Sequence, residues 1–433
     1  MRWVRQAHHK FEFATATRII FGRGTIQEVG PLAAGMGSLA FVITGRTGQR
    51  AKPLLEQLEK HSIKYVTFNV TAEPTTTIVK EAVQKARQVK IDLVIGIGGG
   101  SVLDTGKVVA AMLTNKGRLE EYLEVVGDGK PITQNPVPYI AIPTTAGTGA
   151  EVTCNSVIGA VEHKVKVSMR SPLMLPRVAV VDPALTDSMP PAVTASTGLD
   201  ALTQLIEAYV SNKANPLTDG ICREGIKRAG RSLRQAYENG NNQAARDDMA
   251  LASLFSGLAL ANARLGAVHG FASPLGCMSI LRSPACPEFR PPEARLPRGW
   301  SVGQASVGRA GTAGTAKDET SAPHGVICAR LLPIVCQANV QALQSRAADS
   351  PALVRYDEIA QLLTGKTTAK AEDCVAWLQE LCADMAVPSL AKFGLKEQDF
   401  PTVVAKVKKS SSMKGNPITL TDDELMEILK KAK

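Results

Sequence analysis

Aromatic residues make up only 4% of the chain, and no block of Lys and Arg is interleaved with them. The net charge of +10 therefore reads as a solvated surface with some attraction for phosphorylated small molecules, and a nucleic-acid partner is not expected. The eight cysteines contain no CxxC pair and no paired framework. Cys154, Cys222, Cys328, Cys336, Cys374 and Cys382 stand in apolar or helical surroundings and read as buried thiols of a reducing compartment. No apolar run reaches the length of a membrane span. The basic start MRWVRQAHHK is not followed by a signal-peptide core. The expectation is a cytoplasmic protein with no membrane partner.

What is present is enough chain for two domains, 433 residues with 44% hydrophobic content. Up to about residue 185 short apolar runs alternate with amphipathic helical stretches. Strands are expected at LAFVIT (39–44), IKYVTFNV (63–70), IDLVIGIGGG (91–100), the start of PYIAIPTTAGTGAEVT (138–153) and RVAVVDP (177–183). Helices are expected at 51–61, 75–90 and 101–114. This rhythm predicts an α/β domain with a parallel sheet over 1–185. From 186 to 433 the patterns are helical, and no convincing strand follows.

Two strand ends carry unusual loops. In VIGIGGGSVLDTGK, Gly98, Gly99, Gly100 and Ser101 separate a strand from a helix that starts at once. Free helix N–H groups and the helix dipole attract anions there, and bare glycines let a pyrophosphate approach the backbone. Taken alone, such a turn can be merely a tight bend. In PTTAGTGAEVT a second loop offers the hydroxyls of Thr144, Thr145 and Thr148. Read alone, it is a Thr-rich turn; the pair favours a nucleotide crevice at the strand ends.

In the helical part, GLDALTQLIEAY sets Asp200 and Gln204 four apart, on one helix face. A carboxylate there can be half of a metal site, and the position where a histidine would complete the pair holds Gln204.

The stretches GIGGGSVLDTGK, AIPTTAGTGAEVT, VVDPALT, STGLDALTQLIEAYVS, NARLGAVHGFASPLG and APHGVICARLLP fall in order across 94–333. With them the chain resembles the iron-containing (group III) alcohol dehydrogenase family. The resemblance implies a dehydroquinate synthase-like architecture: a dinucleotide-binding α/β domain, then an all-α domain, with the active site in the cleft. It implies hydride transfer between a nicotinamide and a small alcohol or aldehyde. The pyrophosphate would lie on Gly98, Gly99, Gly100 and Ser101, with Asp104 and Lys107 in the same motif. Thr144, Thr145 and Thr148 would lie along the nicotinamide half, and Lys166 matches a family lysine near the cofactor. A homo-oligomer is also implied.

The family's metal ligands are one aspartate and three histidines. Carried over singly, they fall on Asp200, Gln204, His269 and His324, so one histidine is replaced. A further family histidine near the nicotinamide falls on Ser273. Asp200, His269 and His324 still make a two-histidine, one-carboxylate set for Fe2+ or Zn2+. Gln204 could bind through its oxygen, or hold a water or the substrate. Without metal, Gln204 or Ser273 would have to stabilise the developing alkoxide by hydrogen bonds.

Many family members carry an aspartate after the threonine that ends the first nucleotide-binding strand. Here Gly45, Arg46 and Thr47 stand in that place. Loss of the carboxylate and gain of a cation favour NADP(H) with NAD(H) tolerated; the alternative is a surface turn with a solvated arginine.

Fifty-five positions separate His269 from His324 where the family has a short loop, and 277–321 is rich in Pro, Arg, Gly, Ala and Ser. That composition predicts a disordered insertion, read either as a flap over the cleft or as a segment without catalytic use, and favours the second. Two other functions stay open: a polyol or phosphorylated-alcohol dehydrogenase on the same fold, and a catalytically silent nucleotide binder.

Overall fold

The apolar runs of the first part become parallel strands with near-continuous burial because helices cover both faces of their sheet. The computed structural model describes residues 10–160, 162–163, 165–282 and 322–433. Its strands are β1 (Arg18–Phe21), β2 (Leu39–Gly45), β3 (Lys64–Val70), β4 (Leu93–Gly98), β5 (Tyr139–Pro143), β6 (Asn155–Ala160), β7 (Val165–Arg170) and β8 (Val178–Val181). Six of them form one sheet in the order β1-β8-β5-β4-β2-β3, parallel throughout. Helices α1 (Val29–Ala34), α2 (Lys52–Lys60), α3 (Thr76–Gln88) and α4 (Gly100–Thr114) lie among these strands in the chain. Ala40, Val42, Leu93 and Ile95 enter one buried cluster, while Phe41, Ile43 and Val94 enter another. That alternation is the pleat of the sheet with both faces covered.

The chain leaves β2 for β3 on one side and leaves β4 for β5 on the other. The strand order therefore reverses between β2 and β4, whose carboxyl ends lie side by side, with Thr44 in register with Ile97. Ligands of open α/β sheets bind in the crevice at such a reversal.

Two features are absent from the sequence reading. β1 is a four-residue edge strand beside β8. β6 and β7 form an antiparallel ribbon, so the first part is not parallel throughout. In both places the apolar signal is short: β6 reads NSVIGA, with only alternate positions buried.

After Val181 the described residues hold helices and no strand: α5 (Pro191–Val210), α6 (Pro216–Glu238), α7 (Gln243–Asn262), α8 (Ala267–Arg282), α9 (His324–Arg346), α10 (Pro351–Thr364), α11 (Ala371–Asp384), α12 (Phe400–Val407) and α13 (Asp422–Ala432). Pro191 and Pro216 occupy first helical positions, where the missing N–H costs nothing. Asn215 caps α6 by accepting from the Leu217 and Thr218 amides.

The expected insertion at 277–321 needs a correction at its start. α8 continues to Arg282, because the Pro-rich composition sets in only at Ser283. Residues 283–321 lie outside the described residues. By length and mean hydropathy α9 could cross a membrane, although Arg330, Gln337 and Asn339 interrupt its apolar run. Of its most apolar window 67% is buried inside the protein. Its residues Ala329, Leu332 and Cys336 join one buried cluster and Cys328, Leu331 and Val335 another, as befits a central core helix.

Next to the second strand-end loop, Glu151 is fully buried, with Lys107 as its nearest favourable charge. Burial raises its carboxyl to about 7, against the opposing pull of a backbone hydrogen bond and Lys107. The folded chain thus keeps a proton that the unfolded chain releases near 4.5. The associated stability is complete below that value and is lost as pH rises through 7, about 3 kcal/mol in all. Glu151→Gln is expected to abolish this loss. Urea unfolding at about pH 5 and about pH 8 would show a smaller drop in the variant than in the parent.

Candidate metal and dinucleotide site

The two loops noted in the sequence meet at the crevice. Gly98 ends β4, and Gly99, Gly100 and Ser101 open α4. The Gly98 carbonyl accepts from the Thr144 amide at 2.9 Å. A side chain on Gly100 would press on Thr148 at 3.0 Å, and one on Gly99 would reach Thr145 at 3.4 Å. The glycines therefore leave a bare backbone floor with threonine hydroxyls beside it. Gly45 ends β2 with open space around it, and Arg46 and Thr47 follow at the surface. Arg46 donates to the Thr71 carbonyl at 3.2 Å.

Asp104 and Lys107 point elsewhere. Buried Lys107 donates to Asp104 at 3.1 Å, to Thr153 at 2.8 Å and to the Asn155 carbonyl at 2.7 Å. The other Asp104 oxygen accepts from the Val157 amide at 3.0 Å. This pair ties α4 to the β6–β7 ribbon, with one scaffold hydrogen bond to each Asp104 oxygen. Lys166, on β7, pairs with Glu73 at 2.5 Å.

The helical part supplies the second half of the site. Asp200 on α5, His269 on α8, and His324 and Cys328 on α9 bring one ligand atom each to within 4.8 Å of one another. His269 Nε2 lies 3.5 Å and His324 Nε2 lies 3.8 Å from Asp200 Oδ1. That oxygen is buried and has no hydrogen-bond partner. An unpartnered buried carboxylate oxygen facing two imidazole nitrogens is costly unless a cation completes it. Bonds of about 2.0–2.3 Å to a tetrahedral ion set ligand atoms roughly 3.3–3.8 Å apart. The residues present fit a divalent metal.

Burial opposes a charge on Asp200, but His269 and His324 outweigh it and hold the carboxyl below its usual range. Burial also works against a charged His269, and Cys328, Glu207 and Asp200 outweigh that, raising its pKa well above the ordinary value. Burial pushes the Cys328 thiol up to about 12. His324 is lowered, chiefly by burial, although 36% of its side chain is accessible.

Outer residues fix these groups. Glu207 Oε2 accepts from His269 Nδ1–H at 2.6 Å, which turns Nε2 toward Asp200 and Cys328. Glu207 Oε1 accepts from the Val268 amide, in the first turn of α8, at 2.6 Å. Gln204 donates its amide to Asp200 Oδ2 at 3.1 Å, and its Oε1 accepts from Ser256 at 2.9 Å. Its amide nitrogen thus faces the carboxylate, and its oxygen lies beside the Ser256 hydroxyl, which is also 2.8 Å from the Ser253 carbonyl. Ser273 stands one turn beyond His269 on α8, half-buried.

The crevice and the cluster adjoin. Gly149, at φ +60°, touches Gly257 on α7 so closely that a Cβ would meet its Cα at 2.3 Å. The Ser256 hydroxyl lies 3.3 Å from the Gly147 carbonyl. A chain of contacts therefore runs from the threonine loop through Ser256 and Gln204 to Asp200. A groove of about 980 Å³ lined by Lys10, Arg170, Lys213 and Lys414 contains none of these residues.

Sequence reasoning brought Asp200, His269 and His324 together but did not single out Cys328, Glu207, Ser256 or Glu73 as site residues. Cys328 stands four after His324, and Glu207 seven after Asp200, both same-face spacings that could have flagged them. Ser256 and Glu73 carry no such signal. Glu207→Ala leaves His269 without its partner and is expected to weaken zinc binding by roughly 10–100-fold, read in a chelator competition titration.

Comparison with known proteins bears on the chain as a whole. The family model of iron-containing alcohol dehydrogenase matches residues 16–183. That of the Fe-containing alcohol dehydrogenase family, C-terminal, matches 194–280 and 315–433 and skips much of the expected insertion. 1,3-Propanediol dehydrogenase of Klebsiella pneumoniae is 31% identical, over 98% of this chain and 100% of that one. Alcohol dehydrogenase 4 of Saccharomyces cerevisiae (strain ATCC 204508 / S288c) is 32% identical over 87% of this chain and 85% of its own length. A crystal structure of 1,3-propanediol oxidoreductase superposes with a TM-score of 0.81 at 31% identity, covering 98% and 100% of the two chains. Sulfoacetaldehyde reductase of Bifidobacterium kashiwanohense, solved with NAD+, gives 0.77 at 25% identity over 98% and 99%. The chain belongs to the iron-containing alcohol dehydrogenase family, whose members are oxidoreductases of alcohols and aldehydes.

Proposed function

We propose that the protein transfers hydride between NADP(H) and a small alcohol or aldehyde, with a divalent metal held by Asp200, His269 and His324. The buried Asp200 Oδ1, facing two imidazole nitrogens at 3.5 and 3.8 Å, carries this reading, because a divalent cation set among the three groups would partner all of them at once. A bound Fe2+ or Zn2+ supplies Lewis acidity toward the substrate oxygen.

The chain's own residues do the rest. Gly98, Gly99, Gly100 and Ser101 offer backbone N–H groups to the pyrophosphate at the start of α4. Thr144, Thr145 and Thr148 line the path from that floor toward α5 and offer hydroxyls to the nicotinamide half. Glu207 holds His269 in one tautomer, and Gln204 holds the Asp200 carboxylate at its outer oxygen. Ser273 can hydrogen-bond the substrate or the nicotinamide ribose, although it cannot take up a proton as the family's histidine could. Lys166, beside Gly276 of α8, places a cation near the cleft.

NADP(H) is preferred because no carboxylate stands after β2 to hold a ribose 2′-hydroxyl or repel a 2′-phosphate, and the Arg46 guanidinium lies at the surface next to that strand end. A homo-oligomer is proposed on the family resemblance alone.

Elemental analysis after incubation with Zn2+ or Fe2+ and desalting tests the metal: about one ion per chain is expected, and none in Asp200→Ala. A parent chain without metal would overturn this part. For the cofactor, Arg46→Ala is expected to lower kcat/KM for NADPH by about tenfold and to leave NADH nearly unchanged. A clear preference of the parent for NAD(H) would overturn the cofactor assignment.

A further inference from the structure

We propose that Cys328 is a ligand of the metal, so that this chain closes its centre with Asp, two His and a thiolate while Gln204 stands outside it. The inference rests on the metal reading above and adds a residue and a chemical preference to it.

The positions argue for it. Cys328 Sγ lies 3.6 Å from His324 Nε2 and 3.9 Å from His269 Nε2, the spacing that separates ligands of one tetrahedral ion. Its place four residues after His324 on α9 puts thiol and ring on one face of the helix. The four ligand atoms share a cluster no wider than 4.8 Å. Asp200 Oδ1, aimed into that cluster, is the buried oxygen without a partner. Gln204 faces the same carboxylate at its other oxygen, with its amide nitrogen 3.1 Å away and its own oxygen turned to the Ser256 hydroxyl at 2.9 Å. The position where the family resemblance calls for a third histidine is thus filled by a hydrogen-bonding residue, and a different side chain brings the fourth donor atom.

The chemistry follows. As the metal–sulfur bond forms, the Cys328 thiol releases its proton to solvent, and no electrons are exchanged. One carboxylate and one thiolate neutralise a divalent ion, where three histidines and a carboxylate would leave one positive charge. A soft thiolate favours Zn2+ or Co2+ over Fe2+. The accessible edge of His324 leaves a side of the cluster open, and zinc can expand to five ligands when substrate arrives.

Cobalt(II) reports the ligand directly, since a thiolate bound to Co2+ gives an intense near-ultraviolet charge-transfer band that oxygen and nitrogen ligands do not. The full chain, stripped of metal and loaded with Co2+, should show this band. Cys328→Ser should lose it and bind Zn2+ at least tenfold more weakly, by about the factor that loss of an outer partner costs or more. Gln204→Ala should keep the band. X-ray absorption of the zinc-loaded parent needs no variant, and should show a sulfur scatterer at about 2.3 Å. One Co2+ bound per chain with no sulfur signature would overturn the thiolate while leaving the metal enzyme intact. No Co2+ or Zn2+ bound at all would overturn both.

Discussion

The buried carboxylate of Asp200 is the constraint around which the helical part is arranged. A charge in the middle of a helix core costs several kcal/mol unless opposite charge and hydrogen bonds meet it. α8 and α9 each deliver an imidazole to one of its oxygens, and Gln204, from the same helix, serves the other. Glu207 repeats the problem two turns along α5. Its solution is the His269 ring on one oxygen and the first turn of α8 on the other, where the helix dipole favours an anion. Two acids on one face of one helix thereby fix where α8 begins and how its histidine turns.

The sheet reaches this arrangement through small residues. The threonine loop after β5 rises against α5 and α7, and the contact between Gly149 and Gly257 has no room for a methyl group. Close approach lets the Gly147 carbonyl sit near Ser256, one hydrogen bond away from Gln204. The dinucleotide crevice and the metal cluster are accordingly neighbours through backbone and short side chains. Hydride transfer needs that proximity, because the reacting atoms must approach to about van der Waals distance.

The polar contacts within the site support one another. Gln204, at the position where the family resemblance calls for a histidine, donates to the Asp200 carboxylate. Cys328 is read from sequence as an ordinary buried thiol, which its burial satisfies, and its second property appears only beside the two imidazoles. Likewise Asp104 and Lys107 belong to the glycine-rich motif but spend their charges on holding the β6–β7 ribbon to α4.

The sequence by itself determined the alternation of strands and helices, the change of character after residue 183, and the glycine and threonine loops, which are local signals: a period of two or 3.6 residues, a strand ending in glycine. Asp200, His269 and His324 were legible as candidate ligands only through the family resemblance, whose motifs span many stretches. The sequence could not yield the edge strand β1 or the β6–β7 ribbon, whose pairing partners supply the stability their short runs lack. It also could not decide which donors surround the metal. Gln204 adjoins Asp200 in sequence, while Cys328 is far from it, and only the packing of α9 against α5 and α8 brings that thiol beside the two imidazoles. Ligand sets are made of distances between helices, and those are fixed by side-chain packing across the core, which no single stretch of chain contains.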